Sequence, residues 1–266
     1  MNIIVCVKQV LDPQIPPAKF RIDSEAKRIL PPEGIPPVIN PYDAQAVELA
    51  LKLKEKHTGK ITVLTIGGVA STTVVKYALS MGADEGYVLT DKTFEGSDSF
   101  SIAYILTRAI QKISGYDLIL CGRQAADWDE GLAGSILAEN LNLPLVTLAQ
   151  AVEVSGKELK VKRGILDGYQ FFQVTMPALI TVSNEIGQPR LPSGWGIIAA
   201  ARKKIPVWTA TDIGAEPSRI GDSAARRKLV KLFSPARERK CEIIAGETPA
   251  EAGAKLGERL RQKRVI

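Results

Sequence analysis

The sequence predicts an α/β fold: a doubly wound, mostly parallel sheet with an added small sheet region and an extended C-terminal arm. Three observations carry this expectation. Short apolar runs alternate with helix-length segments through the first two-thirds of the chain, the pattern of a parallel sheet covered on both faces. After about residue 145 the helices give way to closely spaced strand-like segments bounded by Gly and Pro. From residue 202 the chain is strongly basic, and residues 205–247 are weakly periodic. Residues 202–266 carry 16 Lys and Arg against 8 Asp and Glu, while residues 1–201 carry 19 against 21. The net charge of +6 therefore belongs to the tail.

Taken in order, IIVCVK (3–8) is the first buried strand; with no basic lead and no small-residue cleavage site before it, it does not read as a signal peptide. Residues 13–39 are Pro-rich around a short FRID and form an irregular excursion or a small hairpin. A helix follows in INPYDAQAVELALKLKEK, with Asn40 as N-cap and Pro41 at its first position. KITVLTIGG (60–68) is the next strand. Ser71 caps a helix running through Ser80, which Gly82 ends. GYVLTD (86–91) is a third strand, residues 97–113 a helix, and DLILCG (117–122) a fourth strand. Beyond residue 145, VTLAQAVEVSG, KELKVKRG, YQFFQVT and ALITVS read as strands in antiparallel or mixed arrangement. The final TPAEAGAKLGERLRQKR is helical, with Thr248 and Glu251 as a capping box and Ala252, Leu256 and Leu260 on one face.

Several chemistries lack their residues. The one histidine, His57, falls at a helix end and reads as solvated, which leaves no Ser-His-Asp or Cys-His arrangement. No spacing supports a metal site with imidazole or paired-thiolate ligands. Neither a GxGxxG after the first strand nor a GxxxxGK[ST] is present. Redox or transfer chemistry would need a cofactor to supply the reactivity. The three cysteines, Cys6, Cys121 and Cys241, are too dispersed for a disulfide framework and fit a reducing cytosol, so a cytoplasmic protein is expected. No apolar run is long enough to span a membrane, and the basic tail has few aromatics and no nucleic-acid-reading motif.

In open α/β sheets ligands sit beyond the carboxyl ends of the strands. Four such ends are candidates: Val7–Lys8, Ile66–Gly68, Leu89–Asp91 and Cys121–Arg123. The last leads into CGRQAADWDEGLAGS, residues 121–135. Its acids, Asp127, Asp129 and Glu130, admit several readings. They suit a general acid–base pair, Mg²⁺ ligands, acceptors for ribose hydroxyls, or a plain acidic cluster at a helix N-terminus. Gly131, Ala133, Gly134 and Ser135 then open a helix whose free N–H groups can hold a phosphate.

The segments VCVKQVLD, INPYDAQAVELALKLKEK, SMGADEGYVL, LILCGRQAADWDEG, LNLPLVT and KVKRGILDGYQFFQVTMPALITVSNEIGQPR together resemble the β subunit of electron transfer flavoprotein, over roughly residues 1–212. The resemblance implies an adenine-nucleotide α-hydrolase-like domain over residues 1–201 and an arm, 202–266, that docks on an α subunit. It implies an FAD shared with the α subunit, and AMP or a second FAD in this chain. A flavin-linked dehydrogenase would deliver electrons. Nucleotide contacts carried over by position are Cys6, Asn40, Pro41, Tyr42, Asp43, Ile66, Gly122, Arg123, Gln124, Ala125, Asp127, Trp128, Asp129, Gly131, Gly134 and Ser135. A dehydrogenase-docking loop near 188–198 would include Pro192, Ser193, Gly194 and Trp195. Two places depart from the family pattern: Leu132 and Ala133 stand where relatives carry polar or β-branched residues near the phosphate, and Gly194 replaces a docking leucine, leaving Trp195 as substitute anchor or as a residue packed on its own domain. The expectation is an electron carrier without bond-making chemistry. A stand-alone adenine-nucleotide sensor is the alternative.

Overall fold

The computed structural model describes residues 1–235 and 241–266. The chain opens with β1 (Asn2–Cys6) and β2 (Gln9–Val10), then β3 (Arg21–Asp23), β4 (Arg28–Leu30) and β5 (Val38–Ile39). Next come α1 (Pro41–His57), β6 (Lys60–Ile66), α2 (Thr72–Met81), β7 (Glu85–Leu89), α3 (Ser99–Ile113), β8 (Leu118–Gly122) and α4 (Ala133–Asn140). The second part holds β9 (Leu145–Ser155), β10 (Glu158–Ile165), β11 (Gly168–Thr175), β12 (Ala178–Val182), α5 (Gly194–Arg202), β13 (Val207–Trp208) and α6 (Pro249–Gln262).

One nine-stranded sheet organises the molecule, in the order β11-β10-β9-β12-β8-β1-β6-β7-β13. The core strands β12, β8, β1, β6 and β7 pair parallel, while β9, β10 and β11 form an antiparallel meander continuous with them. The added sheet region is thus an extension of the main sheet. Two small separate sheets, β2–β5 and β3–β4, account for the Pro-rich excursion, the second being a hairpin.

Strand residues alternate between two cores. Ile3, Val5, Ile61, Val63, Leu118 and Leu120 face a layer with α1 and α2. Ile4, Cys6, Leu64, Ile119 and Cys121 face a second layer with α3 and α4. Burial on both faces is why these strands read as unbroken apolar runs. Helix α1 is buried along most of its length, from Asp43 to Leu51 without interruption and again at Leu53. Its apolar residues therefore do not form a single stripe.

Helix boundaries refine the expectations. Asn40 precedes α1 and Pro41 opens it, yet the Asn40 side chain makes no capping bond. Ser71 precedes α2 without capping it, and Gly82 ends it at φ +129°. Helix α3 starts at Ser99, with the Asp98 carboxylate accepting from the Phe100 and Ser101 N–H groups. On α6, Thr248 accepts from the Glu251 N–H, but the Glu251 carboxylate returns to the Glu247 N–H instead of Thr248, so the box closes one residue early. Leu256 on this helix is 46% exposed, and no α6 residue is buried.

Candidate functional site

Chain order puts β6 and β7 on one side of β1 and β8 on the other, so the sheet reverses between β1 and β8. Ligands favour such a switch point. Cys6 and Cys121 are register partners there, both buried. Burial and the neighbouring Cys6 thiol place Cys121 among groups that stay protonated: its hydrogen bond with Cys6 and then desolvation push its pKa up.

Asp43 on α1 and Asn40 just before it gather the strand ends. Asp43, 6% exposed, accepts the Lys8 N–H through Oδ2 at 2.7 Å and the Gly122 N–H through Oδ1 at 3.1 Å. Burial pushes its pKa up to about 7, against the lowering effect of those N–H groups and of the Asn40 amide. Asn40, 1% exposed, donates from Nδ2 to the Gln124 carbonyl at 2.9 Å and accepts from the Ala126 N–H at 3.1 Å. The residue type that suggested a helix cap instead fastens the loop after β8. Gly122 makes the approach possible: a Cβ there would lie 2.4 Å from Asp43 Oδ1 and 2.8 Å from the Tyr42 carbonyl carbon.

The loop is further tied by side chains. Lys8 Nζ meets Asp127 at 2.6 Å. Lys8 was absent from the set expected by sequence; only its place at a strand end signals it. Gln124 Nε2 donates to Asp129 Oδ1 at 2.7 Å, and Arg123 stacks over Tyr42 at 5.2 Å while reaching Asn184 Oδ1 at 3.3 Å. Asp129 and Gly131 adopt left-handed φ of +52° and +62°, which turns the chain into α4. That helix begins at Ala133, two residues later than the glycine at 131, with Leu132 before it and 39% exposed. Gly134 is buried, and a Cβ there would sit 3.0 Å from Thr181 Cγ2 and 3.5 Å from Cys121 Cβ. Ser135 lies on the first turn, and Ala125 within the loop.

Of the expected residues, Asn40, Asp43, Gly122, Gln124 and Asp127 are therefore linked through direct bonds or through Lys8. Pro41 and Tyr42 stand on the same helix end. Trp128 projects from the loop, 48% exposed. Cys6 lies at the end of β1. Ile66 belongs to a neighbouring cleft of about 400 Å³, lined also by Gly67, Gly68, Thr90, Asp91 and Phe94. A second cleft of about 300 Å³ opens at the opposite, amino end of the strands, around Tyr87, Lys112 and Trp208. The three acids each have a partner: Asp127 with Lys8, Asp129 with Gln124, Glu130 with Ser99 and Arg227. Among the described residues no group of three or more His, Cys, Asp or Glu is placed to hold a metal ion.

The expected docking segment forms a separate feature. Ser193 caps α5, its hydroxyl accepting from the Gly196 N–H at 3.0 Å, and Gly194 opens the helix. Trp195 and Leu191 are each 84% exposed, with half-buried Pro192 between them in sequence. Trp195 does not pack onto its own domain. Gly196 lies against α2, where a Cβ would be 2.2 Å from the Ser80 carbonyl oxygen. No helix among the described residues is long and apolar enough to cross a membrane.

Residues 32–213 match the family model described as electron transfer flavoprotein domain. The chain is 40% identical to the electron transfer flavoprotein subunit beta of Thermoanaerobacterium thermosaccharolyticum over the full length of both. It is 35% identical, again over both full lengths, to the caffeyl-CoA reductase-Etf complex subunit CarD of Acetobacterium woodii. Identity to the acryloyl-CoA reductase electron transfer subunit gamma of Anaerotignum propionicum is 34% over the whole of each chain.

Proposed function

The chain belongs to the electron transfer flavoprotein family, and from that membership we propose that it acts as the β subunit of a heterodimeric carrier in the cytoplasm. It would pass electrons from a flavin-linked dehydrogenase to a downstream acceptor, beside an α-type subunit that shares its FAD. The loop over residues 122–135 would hold AMP or a second FAD. The chemistry of electron uptake and release belongs to the flavin.

The observation that carries the nucleotide reading is the Asn40 clamp on the Gln124 carbonyl and the Ala126 N–H. It spends a buried amide on the shape of an exposed loop at the reversal of the sheet, and a binding loop benefits from such preorganisation. The first N–H groups of α4 suit a phosphate, and exposed Trp128 and Leu132 offer apolar surface for a base or ring. In this reading Asp129 and Asp127 accept from hydroxyls, as acidic residues do in other nucleotide sites. The residues present fit a nucleotide better than acid–base catalysis, because each acid already has a partner. Residues 1–201 would be the nucleotide-binding domain, and 202–266 the arm that meets the α subunit. The Leu191–Trp195 segment, with its two exposed apolar side chains, would be the dehydrogenase contact.

The test is to co-express the chain with its α-type partner, denature the purified complex, and count what is released. One flavin with one AMP per heterodimer means an electron shuttle; two flavins mean a bifurcating type. Release of neither overturns the reading.

A further inference from the structure

Glu130 is the loop acid that the nucleotide reading leaves without a task. Its Oε2 accepts from the Ser99 hydroxyl at the start of α3, and its Oε1 meets Arg227 NH1 at 2.7 Å. Arg227 belongs to the basic arm, which is laid across the same helix start. Asp98 Oδ2 accepts the Arg226 N–H at 2.7 Å and the Arg227 N–H at 3.1 Å, the Ser97 hydroxyl accepts the Gly221 N–H at 2.9 Å, and the Arg226 guanidinium stacks over Phe100 at 4.6 Å. Asp98 thereby serves two chains of contact, the α3 cap and the arm.

We propose that the Glu130–Arg227 ion pair couples the loop to the arm, so that a nucleotide held by the loop fastens arm residues 221–227 against α3, and the fastened arm tightens nucleotide binding. This rests on the reading of residues 122–135 as a nucleotide loop. Glu130 sits between Asp129 and Gly131, whose left-handed turns set where its side chain emerges. A ligand contacting Trp128, Asp129 or the α4 N–H groups restricts those turns. Conformations in which Glu130 reaches Arg227 are then enriched, and linkage makes the effect reciprocal. The pair is half exposed, with side chains 51% and 32% accessible, so the coupling is modest.

Hydrogen–deuterium exchange on the full chain, with and without saturating AMP and then FAD, tests this. In the unaltered chain the nucleotide should slow exchange of the Arg226 and Arg227 amides about two- to fivefold. In Arg227→Gln, which leaves the loop intact, the nucleotide should still bind, with affinity lower by the same factor, and should no longer slow those amides. Glu130→Gln should behave alike. Binding without any slowing in the unaltered chain, or slowing that survives in both variants, overturns the coupling while leaving the nucleotide site standing. If calorimetry detects no binding of AMP or of FAD, the nucleotide reading falls, and the coupling with it.

Discussion

Arg190 and Glu48 meet across 142 residues of chain: the guanidinium donates to both Glu48 oxygens, at 2.8 and 3.1 Å, and the Arg190 N–H adds a third bond at 3.0 Å. Burial alone would raise the Glu48 pKa, but the hydrogen bonds and charge of Arg190 prevail and hold the carboxyl below its usual range. The pair anchors the segment leading into Trp195 on α1, the helix that also carries Asp43 and that Asn40 immediately precedes. Arg190→Ala leaves a carboxylate, its side chain only 5% exposed, with just the looser Lys52 contact at 3.8 Å. Breaking a fully buried pair costs about 3–5 kcal/mol. Because the Arg190 side chain is 36% exposed, the expected loss in urea unfolding is smaller, about 2 kcal/mol. The stabilisation is present above pH 4.5 and is lost as pH falls through the lowered folded-state value, so the variant should differ least from the unaltered chain in acid.

Asn40→Ala removes a buried donor and a buried acceptor at once, leaving the Gln124 carbonyl and the Ala126 N–H to water. A loss of about 1–3 kcal/mol is expected for each group that stays buried and unpaired. AMP affinity, read by calorimetry, should drop by on the order of tenfold if the clamp preorganises the loop. Unchanged affinity in a folded variant would show that the loop keeps its shape without Asn40.

Asp43 gives a pH signature of opposite sign to Glu48. Its folded pKa of about 7 lies above the ordinary 3.8, so the folded state holds the proton more tightly than the unfolded state. The associated stability is full below about pH 4 and declines as pH rises toward 7. Asp43→Asn should flatten that part of the stability–pH profile. A profile whose slope between pH 4 and 7 is unaffected by the substitution would contradict this assignment.

Gly122→Ala places a methyl against the Tyr42 backbone as well as Asp43, and backbone cannot yield as a side-chain tip can. Overpacking of this kind costs about 1–3 kcal/mol or more. Gly68→Ala is the matched control, since a Cβ there meets nothing within 4 Å. Thermal melting should separate the two clearly.

Trp195→Ala should leave stability within about 0.5 kcal/mol, as expected for a side chain that touches little. In the heterodimer proposed above, with a dehydrogenase as donor, it should raise KM more than it lowers kcat. Equal kinetics would remove Trp195 from the contact surface.

The parallel core was legible in the sequence because strands buried on both faces leave continuous apolar runs, and Gly and Pro punctuate the turns between them. The two-residue strands β2, β5 and β13 were not, since pairs so short form only where a neighbouring strand supplies the edge. At Asn40 the position was right and the task differed: the side chain that caps a helix can equally clamp a loop, and nothing local separates the two. Lys8 and the Arg190–Glu48 pair depend on contacts between distant segments, which composition does not record. The acids of residues 127–130 looked like a cluster in one dimension, yet in space their side chains diverge to Lys8, Gln124 and Arg227.

The two-residue strand β13 at the edge of the large sheet has a consequence for handling the protein. Val207 and Trp208 pair with Val88 and Leu89 on β7, Trp208 stacks on Tyr87 at 4.2 Å, and Lys112 lies over the indole at 4.5 Å. Those two residues cover the flank of a sheet whose next strand would otherwise offer bare N–H and C=O groups to any passing chain. A truncation made just after residue 202, to trim the basic tail, would strip that cover. Such a fragment should precipitate or form fibrils, whereas one ending after residue 220 should stay dispersed.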